Sequence, residues 1–426
     1  MTSAMRPVLS RRALLHGGSA ALGVSVLSGM SLLLTSQAGH AESPRPASAV
    51  TGAPVLLCVF LRGAADGLSL VVPHADAEYY ALRPSIAVPR PGESGGALDL
   101  DGRFGLHPKL EPLKAAYDAG ELALVHAVGS PHPTRSHFEA QDYMTTGAVG
   151  DRTVAQGWLA RYLASQPAGS SALLRAVALS QRLPLALRGY PDAIVTPRLK
   201  DFHFQASAAL EPVLSKGFSR LYRAESQSPA ERAGKRALEA SQLVQSALAK
   251  QKNRVKYARD AQEFSEVARL IKADVGLQTA WIDLSGWDTH HQQGRSDSGE
   301  LPRQLDRLAR ALSALRADLG ALLERVVIVV MSEFGRTARE NGTRGTDHGH
   351  GGAMLVLGGK IKGGRVLGRF PGLAPHELYE GRDLAVTTDF RDVLSEICES
   401  HLGVADTSAL FQGFRRDKTR QLGLFG

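Results

Sequence analysis

This sequence predicts an α/β fold, with a mostly parallel central sheet covered by helices on both faces. Two observations carry that expectation. Short, almost wholly apolar runs recur along the chain, as strands buried on both faces require, and segments with apolar residues at helical spacing stand between them. The first run, 55–61, has no polar interruption and stops at Arg62 and Gly63. Residues 110–119 return Leu110, Leu113 and Tyr117 at three- and four-residue steps before Gly120, which reads as a helix and its stop. Apolar runs at 122–128 and 176–179 read as the next strands. Ala237, Ala240, Val244 and Ala247 form one face of a helix over 230–252, and Phe264, Val267, Ala268 and Ile271 do so over 258–273. A strand at 277–284 precedes a long helix at 301–323, whose stripe is Leu301, Leu305, Leu308, Leu312, Leu315 and Leu319. Strands at 326–331 and 354–357 and a helix at 390–402 complete the series. Residues 42–53 read as a Pro/Ser/Ala linker, 89–102 as a Gly-rich loop, and 226–273 as a helical insertion within one domain, 54–426, without internal repeats.

The first 41 residues belong to another process. Arg11 and Arg12 precede an apolar segment at 20–34 that is broken by Gly and Ser, and Gly39, His40 and Ala41 follow. Paired arginines, a moderately apolar core and small residues at the end read as a signal for the Tat translocase, removed on export. That core is shorter than the roughly 20 apolar residues a membrane span needs, so no stable span is expected after cleavage. The expected location is periplasmic or secreted. Of the formal charge of +8, Arg6, Arg11 and Arg12 account for three, and the remainder is spread along the chain. No nucleic-acid partner is implied, whereas an anionic small molecule or glycan ester is compatible with the charge. Cys58 and Cys398 are the two cysteines, so a single bridge is the most they could form and a cysteine metal site is not available.

Chemistry-bearing residues gather after the strands. The run at 326–330 empties into a segment carrying Glu333, Arg336, Asp347, His348 and His350, and the run at 277–284 leads to Asp288, His290 and His291. Asp66 leaves the first strand in the same way. Carboxylates with imidazoles suit a divalent metal ion, the former favouring Mg, Mn or Ca and the latter Zn or Fe. In parallel sheets, ligand sites collect beyond the carboxyl ends of the strands, so these clusters are expected to meet in one pocket. After the strand at 122–128, Ser136 opens a helix, where its hydroxyl is either an N-cap or a nucleophile. His132, Arg135 and His137 beside it suit an anion.

Six segments together resemble the exported domain-of-unknown-function family DUF1501: LRGAADGL from Leu61, SPHPTRSHF from Ser130, WDTH from Trp287, SEFGRT from Ser332, GTDHGHG from Gly345 and TTDFRDV from Thr387. The resemblance covers about residues 54–403. It implies an alkaline-phosphatase-like and sulfatase-like fold, two divalent metals and a hydroxyl nucleophile that attacks a phosphate or sulfate ester. In that resemblance Asp66 corresponds to an early metal-binding aspartate, and Ser136 or neighbouring Thr134 stands at the nucleophile. Asp288 with His290 or His291, Glu333, and His348 or His350 stand at further metal ligands. Arg135 or Arg336 would clamp the anion.

Two departures modify the expectation. The segment Ser332, Glu333, Phe334, Gly335 lacks the usual Asp-His-Gly, which implies one metal fewer or the use of Asp347. Pro131 occupies the position of the cysteine that sulfatases convert to formylglycine, which disfavours a formylglycine sulfatase. The expected function is therefore an exported metal-dependent hydrolase of phosphate or related esters. Its alternative is a noncatalytic metal-binding scaffold or recognition protein of the same fold.

Overall fold

The computed structural model describes residues 52–166, 173–203, 210, 213, 216–217 and 229–426. The signal, most of the linker and the start of the helical insertion lie outside the described residues. The strands are β1 (Val55–Arg62), β2 (Val71–Val72), β3 (Leu98–Asp99), β4 (Gly105–Leu106), β5 (Leu122–Gly129), β6 (Ala176–Leu179), β7 (Ile194–Val195), β8 (Thr279–Ser285), β9 (Val326–Ser332), β10 (Gly352–Gly358), β11 (Arg365–Leu367) and β12 (Thr388–Asp389).

Nine of them form one mixed sheet in the order β11-β5-β10-β9-β1-β8-β6-β7, with β12 beside β5. β10 is antiparallel to both neighbours, β9 and β5, and the other pairings are parallel. The expected mostly parallel sheet is therefore present. β2, β4 and β3 make a small separate sheet, which the sequence pattern did not reveal because each strand has only two residues.

Strand alternation divides the core. Leu57, Val59 and Leu61 of β1 join the cluster that includes Val244, Phe264, Leu305 and Leu312, from helices Pro229–Lys250, Gln262–Ala273 and Glu300–Leu319. Leu56, Cys58 and Phe60 join Trp158, Leu159, Val393 and Ile397, from helices Trp158–Ser165 and Phe390–Ser400 on the opposite face. Helices thus cover both faces, and continuous apolar runs are what such strands need. Cys58 and Cys398 are both buried and free. Among the described residues, no helix is long and apolar enough to cross a membrane.

The arrangement sends four loops to one edge. β1, β8, β9 and β5 all end there, and β10, running the other way, begins there. Gly63 makes the turn after β1 at φ 118°, and a Cβ at that position would lie 2.5 Å from the Asp288 nitrogen. Only glycine permits both the conformation and the contact.

Two histidines elsewhere in the fold contribute to its acid response. His107 donates Nε2–H to the Arg295 carbonyl at 2.8 Å and accepts the Lys109 amide at Nδ1. His126 donates to the Val71 carbonyl at 3.0 Å and accepts the Ala127 amide at Nδ1. Burial pushes each down to about 4, the neighbouring carbonyl opposing the shift only in part. Unfolded, each would titrate near 6.5, so the unfolded chain binds the proton first as pH falls. Their contribution is complete above about pH 6.5 and is lost progressively down to about pH 4, at roughly 1.4 kcal/mol per pKa unit. Urea midpoints should accordingly fall between pH 7 and pH 4.5. Unchanged midpoints over that range would overturn the assignment.

Candidate metal centre

The loops at this edge hold one another before they hold anything else. Thr346 donates its amide to the Thr289 carbonyl, while Gln292 and Gln293 donate theirs to Thr343 and Arg344, so the loop after β8 runs against the loop before β10. Arg336 ties these to the turn after β1. Its buried guanidinium donates to the carbonyls of Gly63, Ala64, Trp287 and Thr346 and to Asp288 Oδ1, the last at 2.6 Å. Such a fork satisfies carbonyls that would otherwise be buried without partners. It also leaves Arg336 no guanidinium face for a ligand, so the expected anion clamp is corrected to a residue that positions Asp288.

Within this frame, His137, Asp288 and His348 offer ligand atoms that all lie within 4.8 Å of one another. His290 joins them. Its Nε2 is 3.0 Å from Asp288 Oδ1 and 3.0 Å from His348 Nε2, while His348 Nε2 is 3.3 Å from the same carboxylate oxygen. His137 Nε2 lies 3.6 Å from Asp288 Oδ2 and is buried without a hydrogen-bond partner.

The opposite ring nitrogens explain why these atoms face inward. His290 Nδ1 meets Asp347 Oδ1 at 3.1 Å, His348 Nδ1 meets the Arg135 carbonyl at 2.9 Å, and His137 Nδ1 meets Glu333 Oε1 at 2.8 Å. A carbonyl or carboxylate only accepts, so each Nδ1 carries a proton and each Nε2 faces Asp288. The hydrogen bond to Glu333, opposed by burial but joined by the charges of Glu333 and Asp288, raises the His137 pKa and favours its protonated form. Three imidazole nitrogens thus converge on one carboxylate, an arrangement that a shared cation would satisfy. The set fits a divalent metal ion, and carboxylate or carbonyl partners behind ligating histidines are the usual outer support.

Electrostatics agree with an anionic Asp288. Burial works against its ionisation, but the hydrogen bond and charge of Arg336, followed by His290 and His137, hold it below the usual carboxylate range. Burial likewise opposes ionisation of Glu333, which is fully shielded from solvent. Hydrogen bonds from His137, Gln141 and the Gly63 amide outweigh that effect and keep it low. For His348, burial first, then the charges of His137 and Arg336, push the imidazole down and favour its neutral form.

The other expected site residues lie elsewhere or do other work. Asp66 is fully buried in a two-oxygen pair with Arg83 at 2.6 and 3.0 Å, and also accepts from Ser69 and Gln293. With both oxygens occupied, it is a structural carboxylate rather than a ligand. Glu333 and Asp347 stand behind His137 and His290. His291 is exposed and makes no hydrogen bond to the cluster, and buried His350 stacks on Tyr379 at 4.5 Å. Of the alternatives open in the sequence, His290 and His348 are the ones the structure brings beside Asp288. Thr134 donates its hydroxyl to Glu139 at 2.5 Å, and Arg135 is engaged by Asp383 and Glu380. Neither is free as expected.

Ser136 precedes helix His137–Thr146, is exposed, and makes no side-chain capping bond. Its hydroxyl is available. His137, which sequence reading set aside as an anion contact, is in fact in the cluster. The available signal was its place directly after Ser136, where the first residue of the helix points into the same edge.

The family model described as "Protein of unknown function (DUF1501)" matches residues 53–412. No curated protein matches the chain. Among solved structures, the chain is similar to the C-terminal periplasmic domain of EcEptC from Escherichia coli in complex with Zn, at 8% identity, covering 74% of this chain and 77% of that chain with a TM-score of 0.33. It is similar to the alkaline phosphatase PafA in a mutant form, at 9% identity, covering 67% and 64% with a TM-score of 0.31. It is also similar to a putative sulfatase from Bacteroides thetaiotaomicron, at 9% identity, covering 85% and 76% with a TM-score of 0.32. Likeness at that level says nothing of the chemistry, for which the residues of the cluster are the basis.

Proposed function

From the premise that this chain belongs to the DUF1501 family, we propose that it is an exported, metal-dependent hydrolase of phosphate or related esters. The observation that carries the reading is the convergence of His137, His290 and His348 on Asp288, each ring held at Nδ1 by an acceptor. Three imidazoles with one carboxylate suit zinc better than magnesium or calcium, which prefer all-oxygen sites. Stabilisation of negative charge developing on an ester oxygen is the chemistry such an ion supplies when bound.

The remaining steps belong to the chain. Ser136 presents its hydroxyl at the positive end of helix His137–Thr146, where an alkoxide or an ester anion is favoured. Arg336 keeps Asp288 ionised and fixed, and Glu333 keeps His137 in one tautomer. Attack of the Ser136 oxygen on phosphorus or sulfur would release the alcohol and leave an esterified serine, which water then cleaves. The test is elemental analysis of the purified protein alongside turnover of nitrophenyl phosphate and nitrophenyl sulfate. Bound metal with turnover supports the reading, and bound metal with no turnover of any ester supports the scaffold alternative.

Export through the Tat translocase is part of the proposal and rests on Arg11 and Arg12. Replacing both by Lys should leave the precursor uncut in the cytoplasm. Normal processing of that variant would count against it.

A further inference from the structure

A second cleft, sharing no residue with the metal cluster, opens at the far edge of the sheet beyond β5. Its volume is about 900 Å³, within the range of pockets that hold a drug-sized molecule. Segments after β11, before β12 and near the carboxyl terminus line it, together with Arg103 from the turn before β4.

Three guanidinium groups surround the cleft. Arg103 lies over Phe104 and Phe370, 5.2 and 5.5 Å from the ring centroids, and pairs with no carboxylate among the described residues. Stacking on two rings fixes its direction without neutralising its charge. Arg369 is exposed and likewise forms no ion pair among the described residues. Among the described residues Arg420 forms one ion pair, with exposed Asp417 at 3.6 Å, and its charge also acts on Asp392.

One acidic side chain enters the same space. Asp392 lines the cleft, is 6% exposed, and leaves Oδ1 buried without a hydrogen-bond partner. A buried oxygen in that condition costs free energy unless a donor reaches it. Three cations and one orphaned acceptor specify a ligand with two features, negative charge for the arginines and a hydroxyl donor for Asp392. A single inorganic anion has the first feature only and fills little of the volume.

We infer that this cleft binds an anionic carbohydrate, about the size of a phosphorylated disaccharide. The anionic group lies among Arg103, Arg369 and Arg420, and a sugar hydroxyl donates to Asp392. This site is independent of the hydrolase reading.

Trehalose 6-phosphate, trehalose and inorganic phosphate, titrated calorimetrically into the full protein, test the assignment. Trehalose 6-phosphate should bind at least tenfold more tightly than either other probe. Arg369→Ala and Asp392→Asn should each weaken it about tenfold, whereas His348→Ala should leave it unchanged. Arg420→Ala, at a side chain that is mostly exposed, provides a variant that tests the cleft even where another fails to fold. Binding that is absent, that inorganic phosphate reproduces, or that His348→Ala removes while the cleft variants retain it would overturn the inference.

Discussion

His348→Ala is expected to emerge from purification with little metal, while Glu333→Gln retains a reduced share. The two variants separate a ligand from its support. His348 offers Nε2 directly to the position shared with His290 and Asp288, 3.0 and 3.3 Å away. Sites with four protein ligands bind zinc with an apparent free energy of about 10–16 kcal/mol, so loss of one donor should weaken binding by roughly a hundredfold or more. Glu333 touches only His137 Nδ1 within the cluster, and loss of such a partner typically costs about 10–100-fold. Competition with a chromophoric chelator orders wild type, Glu333→Gln and His348→Ala in decreasing affinity. Equal affinity for wild type and His348→Ala would remove the metal centre from consideration. The same experiment also measures the coupling of metal to fold, because a ligand that binds only the native state raises the unfolding midpoint. His348→Ala should show no such increase on addition of zinc.

The sheet was legible because it is buried on both faces. Residues 55–61 and 326–331 must be apolar at every position, since alternate residues enter two different cores. That requirement writes a continuous run into the sequence. The edge strands β7, β11 and β12 have two or three residues each and leave no comparable trace. Around the metal centre, the loops were legible as clusters but their internal division of labour was not. Asp66, Asp288, Glu333 and Asp347 are all acids placed after strands, yet Arg83 occupies Asp66, and Glu333 and Asp347 face the Nδ1 side of histidines. Asp288 alone among them faces the Nε2 side. Those distinctions depend on contacts across 17 to 196 positions of sequence, which no local pattern records. Arg336 is the same case. A conspicuous cation beside a cluster of acids suggests an anion clamp, whereas four backbone carbonyls and Asp288 already occupy it.

Ser136→Ala should abolish turnover of an activated ester and leave both metal content and stability near those of wild type. The contrast follows from what the hydroxyl does in the folded protein. Ser136 is exposed and forms no capping bond, so its removal should change stability by less than about 0.5 kcal/mol. Thr134, by comparison, donates to Glu139 and accepts the Ser136 amide. Thr134→Ala should therefore lose about 1 kcal/mol while keeping its turnover, because that hydroxyl supports the turn rather than attacking the ester. Removal of a nucleophile from a covalent mechanism lowers kcat by several orders of magnitude, on the order of 10⁴ or more, far beyond any effect of a lost turn bond. The protein also offers a direct intermediate test. A wild-type sample quenched during turnover should carry one esterified serine in the peptide containing Ser136, and the Ser136→Ala sample none. If Ser136→Ala keeps wild-type turnover at full metal loading, attack by Ser136 is excluded. If turnover instead disappears in Thr134→Ala with its fold intact, the nucleophile is Thr134. Loss of turnover in Ser136→Ala with unchanged metal and unchanged unfolding midpoint is the result that only a reacting hydroxyl produces.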